Sequence, residues 1–269
     1  MTSRPVRIGV QLHPQHGEYA DLRRAVAAAE ELGVDVAFNW DHFYPLYGEP
    51  DGKHFECWTM LGAWAEATTR VEIGALVTCN SYRNPELLAD MARTVDHISA
   101  GRLILGIGAG WFQRDYDEYG YDFGTAGSRL ADLAQALPRI RSRWGKLNPA
   151  PTRDIPIIIG GGGEKKTLRL VAKYAQACNL FPSPELEHKL DVLREHCVAV
   201  GRDYDDIEKT VMLGLDPGER GENIDLILEN LQKMAALGIS HAHGIVPGVW
   251  KLDPLTTLGR EVVPAIADW

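Results

Sequence analysis

Short β-rich runs alternate with longer helical patterns along the chain, and this alternation constrains the fold more than any other feature. Eight strand–helix pairs can be counted, from a first strand at 7–13 to an eighth at 241–246, and a helical segment at 258–267 closes the series. Repeated strand–helix units form parallel sheets. A doubly wound sheet more often has about five or six strands, so the count favours a (β/α)₈ TIM barrel. We predict one such domain over residues 1–269.

Length and composition agree with a barrel and narrow the class of protein. The chain has 269 residues, of which 45% are hydrophobic and 24% charged, and a barrel typically needs roughly 250 residues. A net charge of −9 without a Lys/Arg run argues against nucleic-acid binding. Neither a signal peptide, a membrane-spanning run nor a CxxC spacing is present in the sequence. We expect a cytoplasmic homodimer that acts on a small molecule and contacts neither nucleic acid nor membrane.

Polar residues and glycines gather where the predicted strands end. In parallel barrels the active site lies on the loops that follow the strands, because these loops converge on one face. The residues at these positions are His13, His16, Asp41, His42, Thr78, Cys79, Asn80, Gly106, Gly108, Gly110, Trp111, Gly160, Gly161, Gly162, Gly163, Phe181, Ser183, His241 and His243. This concentration predicts a functional site at that face.

Four consecutive glycines, Gly160, Gly161, Gly162 and Gly163, follow the predicted fifth strand. Glycine tolerates positive φ angles, so such a loop can bring several amides to one anion. The sequence Lys165-Lys166-Thr167 then opens a helix, whose first amides favour phosphate. The pattern indicates a phosphate site to which Lys165 or Lys166 adds a cation. The alternative is a tight turn that packs the helix on its strand.

A second glycine-rich run, GIGAG at 106–110, follows the predicted fourth strand. It lacks the GxGxxG spacing and the acidic residue of a dinucleotide-binding fingerprint. Two interpretations stay open. Either the strand end is bare so that a flat ring lies against the backbone, or strand and helix pack closely there.

Asp41 and His42 follow the apolar second strand. A histidine exchanges protons near neutrality, and a neighbouring carboxylate influences its charge. Consecutive residues of an extended strand point in opposite directions, so only one of the two faces the barrel mouth unless the chain bends. We favour a catalytic role for the pair over a structural one, in which Asp41 is a cap and His42 a hydrogen-bonding residue.

Metal and serine chemistry are disfavoured. His13 and His16 are separated by two residues, whereas barrel hydrolases with ligands on strand one commonly place two histidines one residue apart. Further histidines at 241 and 243 are distant in sequence. No GxSxG motif indicates a serine nucleophile. We predict no metal site.

Several segments, in the same order along the chain, carry a resemblance to a known family. They are WDHF at 40–43, the strand segment at 74–78 with YRNP at 82–85, DHISAGRLILGIGAGWF at 96–112, Tyr119-Gly120, and IPIIIGGGGEKKTLRLVAKYA at 155–175. Together they resemble the bacterial-luciferase-like superfamily of flavin and deazaflavin oxidoreductases. The last third of the chain matches only in general pattern. Proteins similar to this one commonly use coenzyme F420, a deazaflavin, rather than FMN.

The resemblance implies roles for matching positions. Asp41 and His42 would lie beside the cofactor ring, with His42 as proton donor or stabiliser for the substrate. Leu76, Val77 and Thr78 would pass behind the ring, with a cis peptide bond at Leu76–Val77. Gly108, Ala109, Gly110 and Trp111 would border the ring. Gly160 to Gly163 and Lys165 would hold the phosphate.

Three functions are compatible with these observations. The first is an F420-dependent oxidoreductase that moves a hydride between the deazaflavin and a small organic substrate. The second is an FMN-dependent monooxygenase, and the third a non-catalytic deazaflavin carrier. Trp111 stands where the sugar-phosphate dehydrogenases of the family carry a catalytic Glu, which argues against a sugar phosphate. Trp40, Tyr44, Trp111 and Trp250 indicate flat or apolar substrates, although any of these aromatic residues is equally compatible with a place in the core.

Overall fold

Nine β-strands form one sheet in the part of the chain that the computed structural model describes, residues 6–248, 251–267 and 269. The strands are β1 (Arg7–Gln11), β2 (Val36–Asn39), β3 (Glu72–Ala75), β4 (Thr78–Cys79), β5 (Leu103–Gly108), β6 (Ile157–Gly160), β7 (Ala177–Leu180), β8 (Glu208–Gly214) and β9 (His241–Ile245). All their pairings are parallel. Their carboxyl ends therefore meet at one rim.

The sheet closes on itself. Its order is β3-β2-β1-β9-β8-β7-β6-β5-β4, and an additional pairing of β3 with β5 joins the two edges. Strands β3 and β4 share one position in the ring, because both pair with β5, at different heights. The predicted (β/α)₈ TIM barrel is confirmed. The third strand, which the sequence predicts as continuous over 71–78, is interrupted at Leu76–Val77, and this peptide bond is cis, as the resemblance implied.

Helices follow the strands and cover the outside of the barrel. They are α1 (Tyr19–Glu31), α2 (Cys57–Ala67), α3 (Pro85–Ile98), α4 (Gln113–Tyr119), α5 (Ala126–Trp144), α6 (Thr167–Tyr174), α7 (Leu186–Val200), α8 (Ile224–Ala236), α9 (Asp253–Thr257) and α10 (Val263–Ala265). Asn84 caps α3 by accepting from the amides of Glu86 and Leu87, and Pro85 is its first residue. In the described residues, no helix combines the length and apolarity that crossing a membrane requires.

The predicted last helix at 258–267 is divided. A π-helical segment, Leu258–Val262, lies between α9 and α10. The amide of Val263 donates to the carbonyl of Leu258, five residues back. The next residue, Pro264, has no amide hydrogen and cannot donate a bond of its own, which the sequence pattern does not take into account.

The barrel interior is apolar on one side and polar on the other. Val36, Phe38, Ile104, Ile158 and Ala177 form the apolar part. On β9, by contrast, His241 and His243 are fully buried in the interior with ring centroids 4.0 Å apart. The sequence analysis placed these two histidines at the rim. They lie deeper in the barrel because β9 begins at His241. Side chains alternate along a strand, so those of His241 and His243 point into the barrel interior, below Ile245 at the end of the strand.

Candidate active site

A cavity of about 670 Å³ opens at the carboxyl ends of the strands. Most of the predicted site residues line it: Asp41, His42, Leu76, Val77, Thr78, Gly108, Ala109, Gly110, Trp111, Gly160 and Gly161. The loop after β6 and the pair after β2 therefore open on the same face of the barrel, as predicted. Gln11, Leu46, Cys79, Tyr82, Arg129, Thr167, Asn179, Phe181 and Met212 also contribute to the lining.

Three of the residues expected at the phosphate lie outside this lining. Gly162 packs toward Lys189, because a Cβ added to it would lie 3.2 Å from the Lys189 Cδ atom. Gly163 and Lys165 are exposed. The turn at 164–166 precedes α6, which begins at Thr167 rather than near 165. For these residues a cofactor contact remains a prediction.

His42 is held in one orientation at the edge of the cavity. Its Nδ1 atom lies 2.8 Å from Oδ2 of Asp115, and its side chain is 11% exposed whereas that of Asp115 is fully buried. A carboxylate accepts, so Nδ1 carries the hydrogen and the neutral imidazole has its lone pair on Nε2. His42 therefore presents a proton acceptor when neutral and a proton donor when protonated.

Asp115 is itself fixed by two further donors. The amide of Phe43 donates to Oδ1 at 3.1 Å, and the Tyr82 hydroxyl donates to Oδ2 at 3.0 Å. Burial, with neighbouring Cys79 and Asp115, raises the pKa of Tyr82, so the phenol stays protonated. These contacts tie α4 to the end of β2 and orient the carboxylate toward His42.

The carboxylate of Asp41 binds Arg83 and the backbone amide of Cys79. Arg83 donates from Nη1 to Oδ2 at 2.6 Å and from Nη2 to Oδ1 at 3.0 Å, and the amide of Cys79 donates to Oδ2 at 2.9 Å. Burial alone would lower the pKa of Arg83, but the Asp41 carboxylate reverses this effect and the pKa is raised. Asp41 and His42 both line the cavity, because β2 ends at Asn39 and the strand alternation no longer applies.

The glycines of β5 and β6 leave space for Val77. A Cβ added to Gly108 would lie 2.8 Å from Val77 Cγ2, and one added to Gly160 would lie 3.0 Å from Val77 Cγ1. Both glycines also line the cavity. At these two glycines the close packing is with Val77, between β3 and β4, and not between strand and helix as one interpretation of the sequence had it. The adjacent Thr78 is buried, and its hydroxyl has no partner among the described residues.

At another part of the wall, Arg129 supplies a positive charge. It is 7% exposed, and its guanidinium donates to the carbonyls of Gly110 at 3.0 Å and Phe123 at 2.6 Å. Within the described chain, no carboxylate lies within salt-bridge distance of it. Buried charges normally have a counterion, so this arrangement fits an anion in the cavity. Thr167, at the start of α6, and Gly161, with φ of +113°, line the same cavity.

The expected aromatic lining is confirmed in part. Trp40 and Trp111 line the cavity. Tyr44 does not: the Arg114 guanidinium covers its ring at 4.0 Å, outside the lining. Trp250 lies outside the described residues.

The sequence analysis missed Asp115, Tyr82, Arg83 and Arg129. An acidic residue in the first turn of a helix is usually explained by the helix dipole, so Asp115 carried no distinct signal. Arg83 stands in the YRNP segment of the resemblance, without an assigned role. Groups of three or more residues that would suit a metal ion are absent from the described part of the chain.

The fold agrees with comparisons against known proteins. The family model described as luciferase-like monooxygenase matches residues 2–222. The chain belongs to this family.

The chain is also similar to individual curated relatives and solved structures. It is 27% identical over 262 residues to an F420-dependent glucose-6-phosphate dehydrogenase of Amycolatopsis mediterranei, covering 87% of this chain and 75% of the relative. A solved F420-dependent secondary alcohol dehydrogenase, in complex with an F420–acetone adduct, superimposes with a TM-score of 0.84 at 18% identity, covering 97% of this chain and 99% of that one. The F420-dependent tetrahydromethanopterin reductase of Methanopyrus kandleri gives 0.78 at 16% identity, covering 97% and 99%. These structural similarities concern the fold.

Proposed function

We propose that the protein is a coenzyme F420-dependent oxidoreductase that moves a hydride between the deazaflavin and an alcohol or carbonyl group of a small organic substrate. The observation that carries this proposal is the His42–Asp115 pair at the wall of a cavity large enough for a cofactor. Membership of the luciferase-like family supports a flavin-type cofactor. The F420-dependent relatives favour the deazaflavin over FMN.

The cavity residues fit such a cofactor. Its flat ring system suits the wall of Val77, Gly108 and Gly160, which carries few protruding side chains. The buried, unpartnered Thr78 hydroxyl offers a hydrogen bond to a polar ring edge. Arg129 and Thr167 would hold the phosphate of the cofactor side chain, since Arg129 has no carboxylate partner among the described residues and Thr167 lies in the first turn of α6.

Coenzyme F420 supplies the hydride acceptor or donor when bound. His42 handles the accompanying proton. During oxidation of an alcohol, Nε2 accepts the hydroxyl proton as the hydride leaves the carbinol carbon. During reduction, the protonated imidazole donates that proton to the carbonyl oxygen. Asp115 holds the imidazole in the required tautomer and stabilises its positive charge.

Asp41 is a positioning residue in this scheme. Its carboxylate binds Arg83 and the amide of Cys79, and thereby holds β4 against the cavity wall. Thr78 lies in β4, so Asp41 fixes one surface of the proposed ring site. In this role the Asp41 carboxylate takes no part in proton transfer.

A carrier that only stores the cofactor would not need an oriented imidazole beside it. The buried hydrogen-bond chain from Tyr82 through Asp115 to His42 therefore favours an enzyme. The phosphate-binding groups would suit FMN equally well. The FMN-dependent monooxygenase is therefore distinguished from the F420-dependent enzyme by which cofactor reacts and by whether the substrate hydrogen is transferred to that cofactor.

Isotope transfer tests this function. The protein is incubated anaerobically with F420 and secondary alcohols that carry deuterium at the carbinol carbon. We expect loss of the F420 absorbance and one deuterium in the reduced cofactor by mass spectrometry. Cofactor reduced without deuterium, or oxidation of the alcohol only with FMN and oxygen, would contradict the proposal.

A further inference from the structure

We propose that the substrate is an uncharged, largely apolar alcohol or ketone whose apolar body lies between Trp40 and Trp111. This inference rests on the proposed function, because it assumes that the reacting oxygen lies at His42. It goes further by naming the chemical class that the same site accepts and the residue that most determines it, Trp111.

Aromatic rings surround the His42 imidazole. Ring centroids lie 5.8 Å away for Trp111, 5.4 Å for Phe112 and 6.1 Å for Trp40. The three ring planes are inclined to the imidazole by 73°, 85° and 82°, so each aromatic ring meets it edge to face. Leu46 adds an aliphatic side chain to the cavity lining. A substrate whose oxygen reaches His42 therefore meets the apolar side chains of Trp40, Trp111 and Leu46, which line the same cavity.

The charges near His42 oppose an anionic substrate. Asp115 contacts His42 directly, and Asp41 and Glu56 both pair with one cation, Arg83. Arg83 is fully engaged, since it donates to both oxygens of Asp41 and to Oε1 of Glu56 at 2.7 Å. A phosphate or carboxylate near His42 would thus meet an excess of negative charge in a partly desolvated pocket, where repulsion is stronger than in water.

The other cations near the cavity are engaged or directed elsewhere. Arg114 pairs with Asp51 and covers the ring of Tyr44. Arg129 is bound to the carbonyls of Gly110 and Phe123, at the part of the wall that we assign to the cofactor phosphate. Among the lining residues that the structure describes, Arg129 is the only lysine or arginine.

A cationic substrate is also disfavoured. Asp41 and Asp115 are buried. Their hydrogen-bonding positions are occupied by Arg83, His42, Tyr82 and backbone amides. The surface that remains for the substrate is mainly aromatic and aliphatic, and Nε2 of His42 alone would replace only part of the water that an ammonium group loses.

Trp111 leaves a large apolar surface uncovered. It lines the cavity and yet is 63% exposed, and Phe181, which also lines the cavity, is 62% exposed. Burial of an aromatic side chain lowers the free energy. Exposed apolar surfaces beside a cleft therefore often mark binding sites. An apolar substrate would cover these rings, whereas a hydrated polar one would leave them in contact with water.

A binding series of equal shape tests the proposal. Acetophenone, 4-acetylbenzoate and the corresponding 4-acetylbenzylammonium ion are titrated by ligand-observed NMR into the protein with and without F420. We expect acetophenone to bind at least about tenfold more tightly than either charged ketone. Equal or tighter binding of a charged ketone, or detectable binding of none of the three, would overturn the proposal.

Variants locate the binding surface. Trp111→Ala should weaken acetophenone binding by about tenfold. Tyr119→Ala is the matched control, because Tyr119 is 55% exposed on α4 but lies outside the cavity lining, and it should leave binding unchanged. Unchanged binding in Trp111→Ala would contradict the assignment of this residue.

The two proposals fail in different ways. If F420 binds but a charged ketone binds as well as acetophenone, only the substrate class is wrong. If F420 does not bind, the proposed function is wrong, and the titrations on the cofactor-free protein still decide which ligand charge the cavity accepts.

Discussion

The Nδ1 atom of His42 lies 2.8 Å from Oδ2 of Asp115, although the two residues are 73 positions apart in the chain. His42 follows β2, and Asp115 lies in the first turn of α4 after β5. In a parallel barrel both segments start at the same rim, so α4 can return across the mouth and place a buried carboxylate behind the histidine. This contact orients the imidazole of His42, as the proposed acid–base role requires.

Replacing His42 with Ala should lower kcat by about 10²–10⁴-fold, the usual contribution of a positioned acid or base. The dissociation constant for F420 should change by less than about twofold, because the phosphate contacts proposed at Arg129 and Thr167 do not involve His42. Fluorescence titration beside steady-state rates checks both values. His97→Ala is a control, since His97 on α3 bonds only to the carbonyl of Ala150 in the described chain. Full activity in His42→Ala with every accepted substrate would remove its assigned role.

Replacing Asp115 with Asn should also lower kcat, by about 10²–10⁴-fold, while the protein stays folded. The Asn amide can donate to Nδ1, which moves the imidazole hydrogen to Nε2 and removes the proton acceptor that faces the substrate. Nitrogen-15 NMR of the histidines reads this tautomer directly, and a purely structural role would not move it. Asp117→Asn, at an exposed position on the same helix, should behave as the wild type. An unchanged tautomer with unchanged kcat would refute the assignment.

Cofactor affinity should depend on Arg129 and Gly161. Arg129→Gln removes a charged donor, which is worth about 1.5–3 kcal/mol, and should weaken F420 binding by about 10- to 100-fold. Gly161→Val should weaken it as well, because φ of +113° is strained for a branched residue.

Matched controls separate binding from folding in these two variants. Arg139→Gln removes an exposed arginine paired with Glu86. Gly201→Val introduces similar backbone strain, at φ of +69°, after α7 and outside the cavity lining. Both controls should keep the wild-type affinity for F420, measured by calorimetry. Equal losses of affinity in the controls and the site variants would show a general folding effect instead.

Glu30 should give the fold a distinct acid dependence. Burial alone would raise its pKa, but donors from Arg70, Val71 and Thr69 outweigh this effect and lower the pKa from 4.5 to about 2. A group with a depressed pKa in the folded state stabilises above its unfolded value, and this contribution is lost as the pH falls from 4.5 to about 2. Glu30→Gln should therefore be less stable than the wild type at neutral pH, and the difference should shrink through that window.

Thermal unfolding of the wild type and Glu30→Gln across this pH range checks the prediction. Glu31, the next residue, is exposed and serves as the control. The stability difference between Glu31→Gln and the wild type should not change over this pH range. A stability difference for Glu30→Gln that stayed constant from pH 7 to about pH 2 would contradict the linkage.

Much of the fold was predictable because it rests on local patterns. The strands are short apolar runs, and their spacing required repeated strand–helix units. The interruption between β3 and β4 was not visible, since the residues from Val71 to Thr78 have the pattern of one continuous strand. His241 and His243 were misplaced because sequence spacing does not say how far down the barrel a strand begins.

The candidate site was predictable only where its residues follow strands directly. His42, Thr78 and Gly160 belong to that group. Asp115 and Arg129 lie on helices, and their place at the cavity depends on how these helices pack back across the rim. The carboxylate that orients His42 and the buried cation of the cavity wall are therefore tertiary features, and no spacing in the sequence encodes them.

The central claim is that this cavity binds a deazaflavin. Calorimetric titration of the wild-type protein with coenzyme F420, and in parallel with FMN, tests it most directly. We expect one F420 to bind per chain, with a Kd at least about tenfold lower than that for FMN. Tighter binding of FMN, or no detectable binding of F420, would contradict it.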